Sequence, residues 1–444
     1  MLRFTFRGGI HPDDGKAMSK DKPIREVLPK GELVYPLSQH IGAPAKAIVA
    51  KGDHVLAGQK IAEAGGFVSA NIFASVSGTV KAIEARLGVA GGMQESIVIE
   101  NDGLYEEVEF SPERKLADIS GKEIIEIIKE AGIVGMGGAG FPTHVKYMPK
   151  DPSAIDHIIV NCAECEPYLT SDYRRMMEEP EKIVGGLQAA MKIFDGRAKG
   201  VLAVEDNKKD AAAKLREAAK GIPDIEVVEL KTKYPQGAER QLIFAVTGRQ
   251  INSSMLPADA GCVVNNCDTI HAIYEAVHFG RPVMKKVMTI TGNAIKEPRV
   301  RTGTNFRELI EEAGGFTSEP EKIIAGGPMM GIPLISLDVP VVKTSSAILC
   351  MTKDEVAACE ETACINCGRC VSVCPGRIIP ARLADYAKRH DKEAFEKANG
   401  MECCECGCCS YSCPAKRPLT QYIKSMRKIV LADRKKAAQR GNGK

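Results

Sequence analysis

Ile124, Ile125, Ile127 and Ile128 recur at helical spacing within residues 121–131, which predicts an amphipathic helix running into the glycine-rich stretch 135–140. His157-Ile158-Ile159-Val160 is a short continuous apolar run that ends in polar Asn161, the pattern of a strand buried on both faces. Between 153 and 255, strand-like and helical segments alternate. Val201-Leu202-Ala203-Val204 is followed by a helical pattern over 208–220 and then by the strand-like run 225–230. Such alternation predicts an α/β layer. Residues 30–100 read differently. Runs at 47–55, 58–61 and 76–80, broken by Gly-Asp and Ser-Gly steps, predict hairpins. A strand is expected at 287–292 and a helix near 305–313. Residues 381–398 read as a helical linker, and Leu419, Tyr422, Ile423, Met426 and Val430 place one apolar face on a last helix.

At 444 residues the chain is long enough for roughly three domains, at about 150 residues each. Sixty Lys and Arg against 57 Asp and Glu leave a formal charge of +3, which excludes a globally basic nucleic-acid binder. No stretch of about 18 apolar residues occurs, so no transmembrane helix is expected. Met1–Arg7 has no apolar signal core, and a cytoplasmic protein is expected. The last thirty residues concentrate positive charge, with ten Lys or Arg against Asp433. A basic helix of this kind lies on anionic lipid, docks on an acidic partner, or packs one face on its own domain.

Cysteine changes the picture. Ten of the 16 fall between Cys364 and Cys413. In a reducing compartment, clustered thiols read as metal ligands rather than disulfides. Cys364, Cys367, Cys370, Cys374 and Pro375 form one CxxCxxCxxxCP run; Cys403, Cys406, Cys409, Cys413 and Pro414 form a second. This spacing is that of a [4Fe–4S] pair, in which three thiolates on a tight loop serve one cluster and the fourth serves the other. Cys364, Cys367, Cys370 and Cys413 are therefore assigned to one cluster. Cys403, Cys406, Cys409 and Cys374 are assigned to its neighbour. Zinc, which prefers paired CxxC knuckles, fits these runs poorly. Cys404 and Cys408 match no ligand position.

Gly135-Met136-Gly137-Gly138-Ala139-Gly140 satisfies GxGxxG, but it follows a helical pattern where a dinucleotide turn follows a strand. It reads as an anion-binding loop on another scaffold, with Lys146 close by. Asn161-Cys162-Ala163-Glu164-Cys165-Glu166-Pro167 closes a strand, and Val263-Val264-Asn265-Asn266-Cys267-Asp268-Thr269 follows later. Polar residues at carboxyl ends of strands are where open α/β sheets bind ligands.

GMGGAGFPTHVKY (135–147), NCAECEP (161–167), YPQGAE (234–239) and VVNNCDT (263–269) resemble the flavin and nicotinamide segments of the 51-kDa flavoprotein subunit of respiratory complex I. With FRGGIHP (6–12), PLSQHIGAP (36–44) and the cysteine runs, the chain resembles the C-subunit family of Rnf electron-transport complexes over nearly its whole length. The resemblance implies a multidomain α/β and α+β fold. It comprises a lipoyl-like barrel-sandwich domain (1–110), an FMN/NADH-binding α/β domain (111–282), a β-grasp (SLBB-like) domain (283–352) and a helical two-cluster ferredoxin-like domain (353–444). Gly135, Gly137, Gly138, Ala139, Gly140 and Lys146 would line the FMN phosphate and ribityl side. Asn161, Glu164, Gly237, Glu239, Asn265, Asn266 and Thr269 would complete the flavin pocket, and Phe141 and Glu166 match positions that meet NADH. The complex I pattern has an Asp at Ala163 and a Glu at Ala238.

The implied function is a peripheral subunit, on the cytoplasmic face of the membrane, passing electrons between NAD(H), FMN and two [4Fe–4S] clusters. Its partners would be a ferredoxin-like cluster subunit and integral membrane subunits that move Na⁺ or H⁺. Raising two electrons by ~100 mV toward a ferredoxin costs roughly 4.6 kcal/mol, which about two ions crossing ~100 mV would balance. Two alternatives stay open: a soluble flavin/iron–sulfur reductase such as a cobalamin reductase, and a flavin-less subunit that only wires clusters or docks partners.

Overall fold

The computed structural model describes residues 4–292, 298–301 and 304–441. The readings made on Met1–Arg3, on 293–297 and 302–303 of the β-grasp segment, and on the last three residues lie outside the described residues. The chain forms two compact units, one of Asp14–Leu230 with Pro257–Lys353, the other of residues 4–13 with Lys231–Leu256 and Asp354–Lys444.

In the larger unit, strands Glu32–Pro36, Met93–Asn101, Gly78–Leu87 and His54–Val55 form an antiparallel sheet. A smaller sheet of Lys46–Ala47, Lys60–Glu63 and Ile72–Phe73 shares its core, which holds Leu33, Tyr35, Val55, Ile61, Ile72, Val80, Ile97 and Ile99. The Tyr35 hydroxyl avoids an unsatisfied burial by pairing with Ser75 Oγ at 2.8 Å.

The α/β layer is a four-stranded parallel sheet built from β1 (His157–Cys162), β2 (Lys199–Glu205), β3 (Ile225–Leu230) and β4 (Cys262–Asn266), in the order β3-β2-β1-β4. Its helices are α1 (Gly121–Glu130), α2 (Thr143–Lys146), α3 (Ser171–Glu178), α4 (Pro180–Lys192), α5 (Lys209–Ala218) and α6 (Cys267–Phe279). Helix α1 opens with a capping box. Ser120 Oγ accepts from Glu123 N at 3.3 Å, and the Glu123 carboxylate accepts from Ser120 N at 2.7 Å. A cap of this kind contributes about 1 kcal/mol and fixes where the chain turns toward the glycines. Ile124 and Ile128 of α1 enter the main core with Ile158, Val160 and Leu202.

Thr289–Gly292, Ala347–Met351, Lys322–Ala325 and Ile332–Pro333 form a further sheet, covered by helix Phe306–Glu312 through Phe306, Leu309 and Ile310. The Asn305 side chain caps that helix by accepting from Arg307 N at 2.8 Å.

The second unit is mainly helical: α7 (Arg369–Ser372), α8 (Pro380–Lys388), α9 (Lys392–Lys397), α10 (Cys408–Tyr411) and α11 (Leu419–Gly441). The expected linker helix breaks in two. His390 takes a left-handed φ of 55°, and Asp391 restarts the helix by accepting from Ala394 N at 3.0 Å. Leu383 and Ala387 of α8 and Phe395 of α9 pack against Ile423, Met426 and Val430 of α11. The apolar stripe of the basic helix is thus occupied inside its own unit.

Candidate functional site

The sheet order places β4 beside β1, while β2 and β3 lie on the other side of β1. In open α/β sheets the ligand crevice lies where the direction of winding reverses, outside the carboxyl ends of the strands, which here is between β1 and β4. Asn161, next to the last residue of β1, is in register with Asn266, and Asn265 stands beside Val160. The glycine loop reaches these residues from α1. Gly135 N donates to Phe141 O at 2.9 Å and Thr143 N to Ile133 O at 3.0 Å, closing the loop at its base. A Cβ on Gly137 would stand 2.7 Å from the Asn266 side chain, so only glycine permits this approach. Met136 N donates to Thr269 Oγ1 at 3.0 Å, tying the loop to α6. Lys146 Nζ donates to Val264 O at 2.9 Å and lies 3.5 Å from where a Gly135 Cβ would be.

Two buried polar atoms in this region have no partner among the described residues: Thr143 Oγ1, just past the loop, and Asn265 Oδ1. The other end of the Asn265 amide donates to Tyr147 Oη at 2.8 Å. A Cβ on Gly138 would meet nothing within 4 Å. Orphaned buried polar atoms cost free energy unless a ligand or water satisfies them. Together with exposed loop amides and one lysine, they fit a phosphorylated, hydrogen-bonding cofactor such as FMN.

The remaining expected residues have protein partners as well. Glu164 caps α3, with Oε1 accepting from Asp172 N at 2.9 Å, and Oε2 lies 3.7 Å from buried Lys16 Nζ. Glu166 Oε1 accepts from Met329 N at 2.6 Å and Met330 N at 3.0 Å, so the Gly-Gly-Pro-Met-Met-Gly segment (326–331) grips it. Asn161 Oδ1 accepts from Ala163 N at 3.1 Å. Gly237 and Glu239 lie in the other unit, at the start of helix Glu239–Thr247.

Sequence reasoning missed three residues here. Asp172 accepts from Asn266 Nδ2 at 2.6 Å, and burial, with Glu164 and Asp268 nearby, raises its carboxyl to about 7. Burial pushes the Asp268 carboxyl up, but Lys286 and Arg175 outweigh it and hold the group below its ordinary range. Its oxygens lie 2.5 Å from Lys286 Nζ and 2.6 Å from Arg175. The third is Lys343, whose signal was a lysine directly following the apolar run Val339-Pro340-Val341-Val342.

In the second unit the two cysteine runs repeat each other. Gly368 and Gly407 both adopt positive φ, 73° and 80°, at the amino ends of α7 and α10. The electrostatic neighbours of Cys370 include Cys364, Cys367 and Cys413, whereas Cys409 neighbours Cys403 and Cys374. The fourth thiol of each run therefore stands with the other run's set. Burial pushes the Cys403 and Cys409 thiols up to about 12. A metal that binds them must displace those protons. Each set has an arginine that interacts with it, Arg417 with Cys364 and Arg427 with Cys403, and Arg417 Nη1 and Arg427 Nε are buried. Cationic donors next to thiolates suit an anionic iron–sulfur cluster. Cys364 and Cys367 are exposed, while Cys403, Cys406 and Cys409 are buried. Cys408 donates to Tyr234 O at 3.8 Å, and Cys404 adjoins Cys406. Among the described residues, no three Cys, His, Asp or Glu side chains converge on a point that would hold a single metal ion.

Residues 128–275 match the family model described as the Nuo51 FMN-binding domain. Residues 4–104 match the RnfC barrel sandwich hybrid domain and 287–333 the SLBB domain. The C subunit of the proton-translocating ferredoxin:NAD(+) oxidoreductase complex of Clostridium ljungdahlii is 47% identical over 95% of this chain and 93% of its own. The C subunit of the Na(+)-translocating complex of Acetobacterium woodii is 45% identical over 97% and 98%. In fold, the chain is similar to an NAD+-reducing [NiFe]-hydrogenase crystallised in the H2-reduced state, with a TM-score of 0.50 and 18% identity over 72% of this chain and 63% of that one. The expected combination of barrel-sandwich, flavin-type α/β and β-grasp modules stands. The chain belongs to the C-subunit (RnfC) family of ion-translocating ferredoxin:NAD(+) oxidoreductase complexes.

Proposed function

We propose that this chain is the peripheral electron-transfer subunit of an ion-translocating ferredoxin:NAD⁺ oxidoreductase, working between NAD(H), FMN and two [4Fe–4S] clusters. The observation that carries the reading is the crevice at β1 and β4. The glycine loop approaches Asn266 there, Lys146 bonds Val264 O of β4, Asn265 Oδ1 of β4 is orphaned, and Thr143 Oγ1 is orphaned just past the loop. The modules would be divided as 1–110, 111–282, 283–352 and 353–444.

FMN, when bound, supplies the conversion between a hydride's electron pair and the single electrons that iron–sulfur clusters carry. The chain's own residues do the rest. The loop amides of 135–140 and Lys146 hold the phosphate. Asn265 Oδ1 accepts a hydrogen bond from the ligand, and Thr143 Oγ1 gives or accepts one. Phe141 and Glu166 meet the nicotinamide nucleotide, with Glu166 oriented by the 329–330 amides. Cys364, Cys367, Cys370 and Cys413 hold one cluster and Cys374, Cys403, Cys406 and Cys409 the other. Among the described residues no helix is long and apolar enough to cross a membrane. The ion path, for Na⁺ or H⁺, would belong to integral membrane partners, with this subunit on their cytoplasmic face beside a cluster-bearing subunit.

Anaerobic purification followed by FMN, iron and sulfide analysis and an NADH titration tests this. One FMN, two clusters' worth of iron and sulfide, and bleaching of the flavin band by NADH are expected. Absence of extractable flavin, with no bleaching, would overturn the reading in favour of a flavin-less docking subunit.

A further inference from the structure

Among the described residues the larger unit buries five cations, and four have carboxylate partners. Lys16 Nζ lies 3.7 Å from Glu164, Lys208 Nζ 2.7 Å from Glu205, Lys286 Nζ 2.5 Å from Asp268, and Arg175 2.6 Å from Asp268. Lys343 is the fifth. It is 1% exposed, and among the described residues no carboxylate lies within ion-pair distance of it. Its Nζ donates to two backbone carbonyls, Asn71 O at 2.5 Å and Gly132 O at 2.6 Å. Carbonyl dipoles satisfy its hydrogen bonds but supply no opposite charge, and a buried charge without one is strongly disfavoured. Burial alone brings its ammonium down to about 7.

Its location gives the missing charge a candidate. Gly132 leads into the glycine loop at φ +64°, and a Cβ there would lie 2.8 Å from Lys343 Nζ. At the loop's far end, a Cβ on Gly140 would lie 2.9 Å from Thr344 Cγ2 and 3.2 Å from Gln39 O. Gln39 in turn accepts from Lys343 N at 3.2 Å. Residue 343 therefore touches the segment that enters the glycine loop, and residue 344 lies against its far end.

We propose that Lys343 is the buried countercharge of the phosphate monoester held by the Gly135–Gly140 loop, and that it makes the site prefer a phosphorylated flavin over an unphosphorylated one. This rests on the reading of the loop as the flavin-phosphate cradle. The charge acts through a poorly screening interior, so direct contact with the phosphate is not required. Titratable groups near Lys343 include His40, which it influences directly, and Glu130, whose carboxylate lies 3.3 Å from Asn71 Nδ2; Lys146 stands at the loop itself. Burial, and after it Lys343, pulls His40 below its ordinary range, Glu130 pairs with Lys60 at 2.6 Å, and Lys146 donates to Val264 O at 2.9 Å.

The test uses the full chain freed of flavin and titrated with FMN and with riboflavin, followed by flavin fluorescence. Lys343→Gln keeps hydrogen-bond donors and removes the charge. It is expected to weaken FMN binding about ten-fold, the size of a partly screened charge–charge interaction, and to leave riboflavin unchanged. Lys343→Arg should keep the FMN preference. Equal weakening of both flavins, or of neither, would overturn the proposal by making Lys343 a packing residue. For variants that fail to fold, wild-type calorimetry at pH 8 in two buffers of different ionisation heat decides. Proton uptake with FMN but not with riboflavin is expected, and zero uptake with FMN refutes the role. Wild-type protein that binds neither flavin would instead remove the cradle reading on which the proposal rests.

Discussion

Asn366 and Glu405 hold the same left-handed backbone, φ 54° and 58°, at the same step of the two cysteine runs. The correspondence continues at Arg377 and Lys416, φ 54° and 53°. Left-handed φ costs a residue with a side chain roughly 1–2 kcal/mol. Asn and Glu, Arg and Lys are different enough that local preference does not explain the match. The repeated cysteine spacing does, with glycine, Gly368 and Gly407, at the same step of each run. The two halves differ in their support. Gly9 N donates to Val373 O at 2.8 Å, so the amino-terminal segment braces the end of the first run.

That brace predicts the effect of Gly8→Val. Gly8 sits at φ +81°, and a Cβ there would lie 2.9 Å from both Val373 O and Cys374 O. Valine should displace Cys374 and cost a few kcal/mol. Iron analysis and EPR of the anaerobic protein should show loss of the cluster assigned to Cys374, Cys403, Cys406 and Cys409, with the other retained.

Cys367→Ala should abolish one EPR cluster signal and leave NADH binding intact, because Cys367 is an exposed member of the other set. Survival of two complete clusters would show the ligand assignment to be wrong.

Gly138→Val should exclude FMN while leaving the iron content unchanged. The space a Cβ would take there is empty of protein atoms, so the variant should fold with a near-native melting temperature. Flavin released by acid and quantified by fluorescence checks it. Wild-type flavin content in the variant would remove the 135–140 loop from the site.

Asp172→Asn should stabilise the protein at pH 7–8. Burial, Glu164 and Asp268 raise the native carboxyl to about 7, well above its unfolded value, so the folded state binds the extra proton. The stability contributed by that proton is fully present below about pH 4 and is lost as pH rises through 7. The asparagine variant avoids the loss. Its advantage, about 1–2 kcal/mol after solvent screening, should be largest above pH 7 and vanish near pH 4. Thermal melts across that range check the sign.

Short-range pattern alone determined much of this protein. The isoleucine spacing before the glycines, the apolar run ending in Asn161 and the five apolar positions of the last helix each declare a local element, because side-chain periodicity reports which face is buried. The cysteine spacing, read with the chemistry of thiolate loops, predicts two ligand sets that each draw one thiol from the other run. Tertiary structure decided what spacing does not encode. It set Asn265 beside Val160 through strand order, turned Glu164 into the cap of α3, and broke the expected linker helix at His390. It also buried Lys343 against the carbonyl of Gly132, more than two hundred residues away in the chain. Strand order, helix caps and buried charges depend on which distant segments exclude water together, and no local window of residues carries that information.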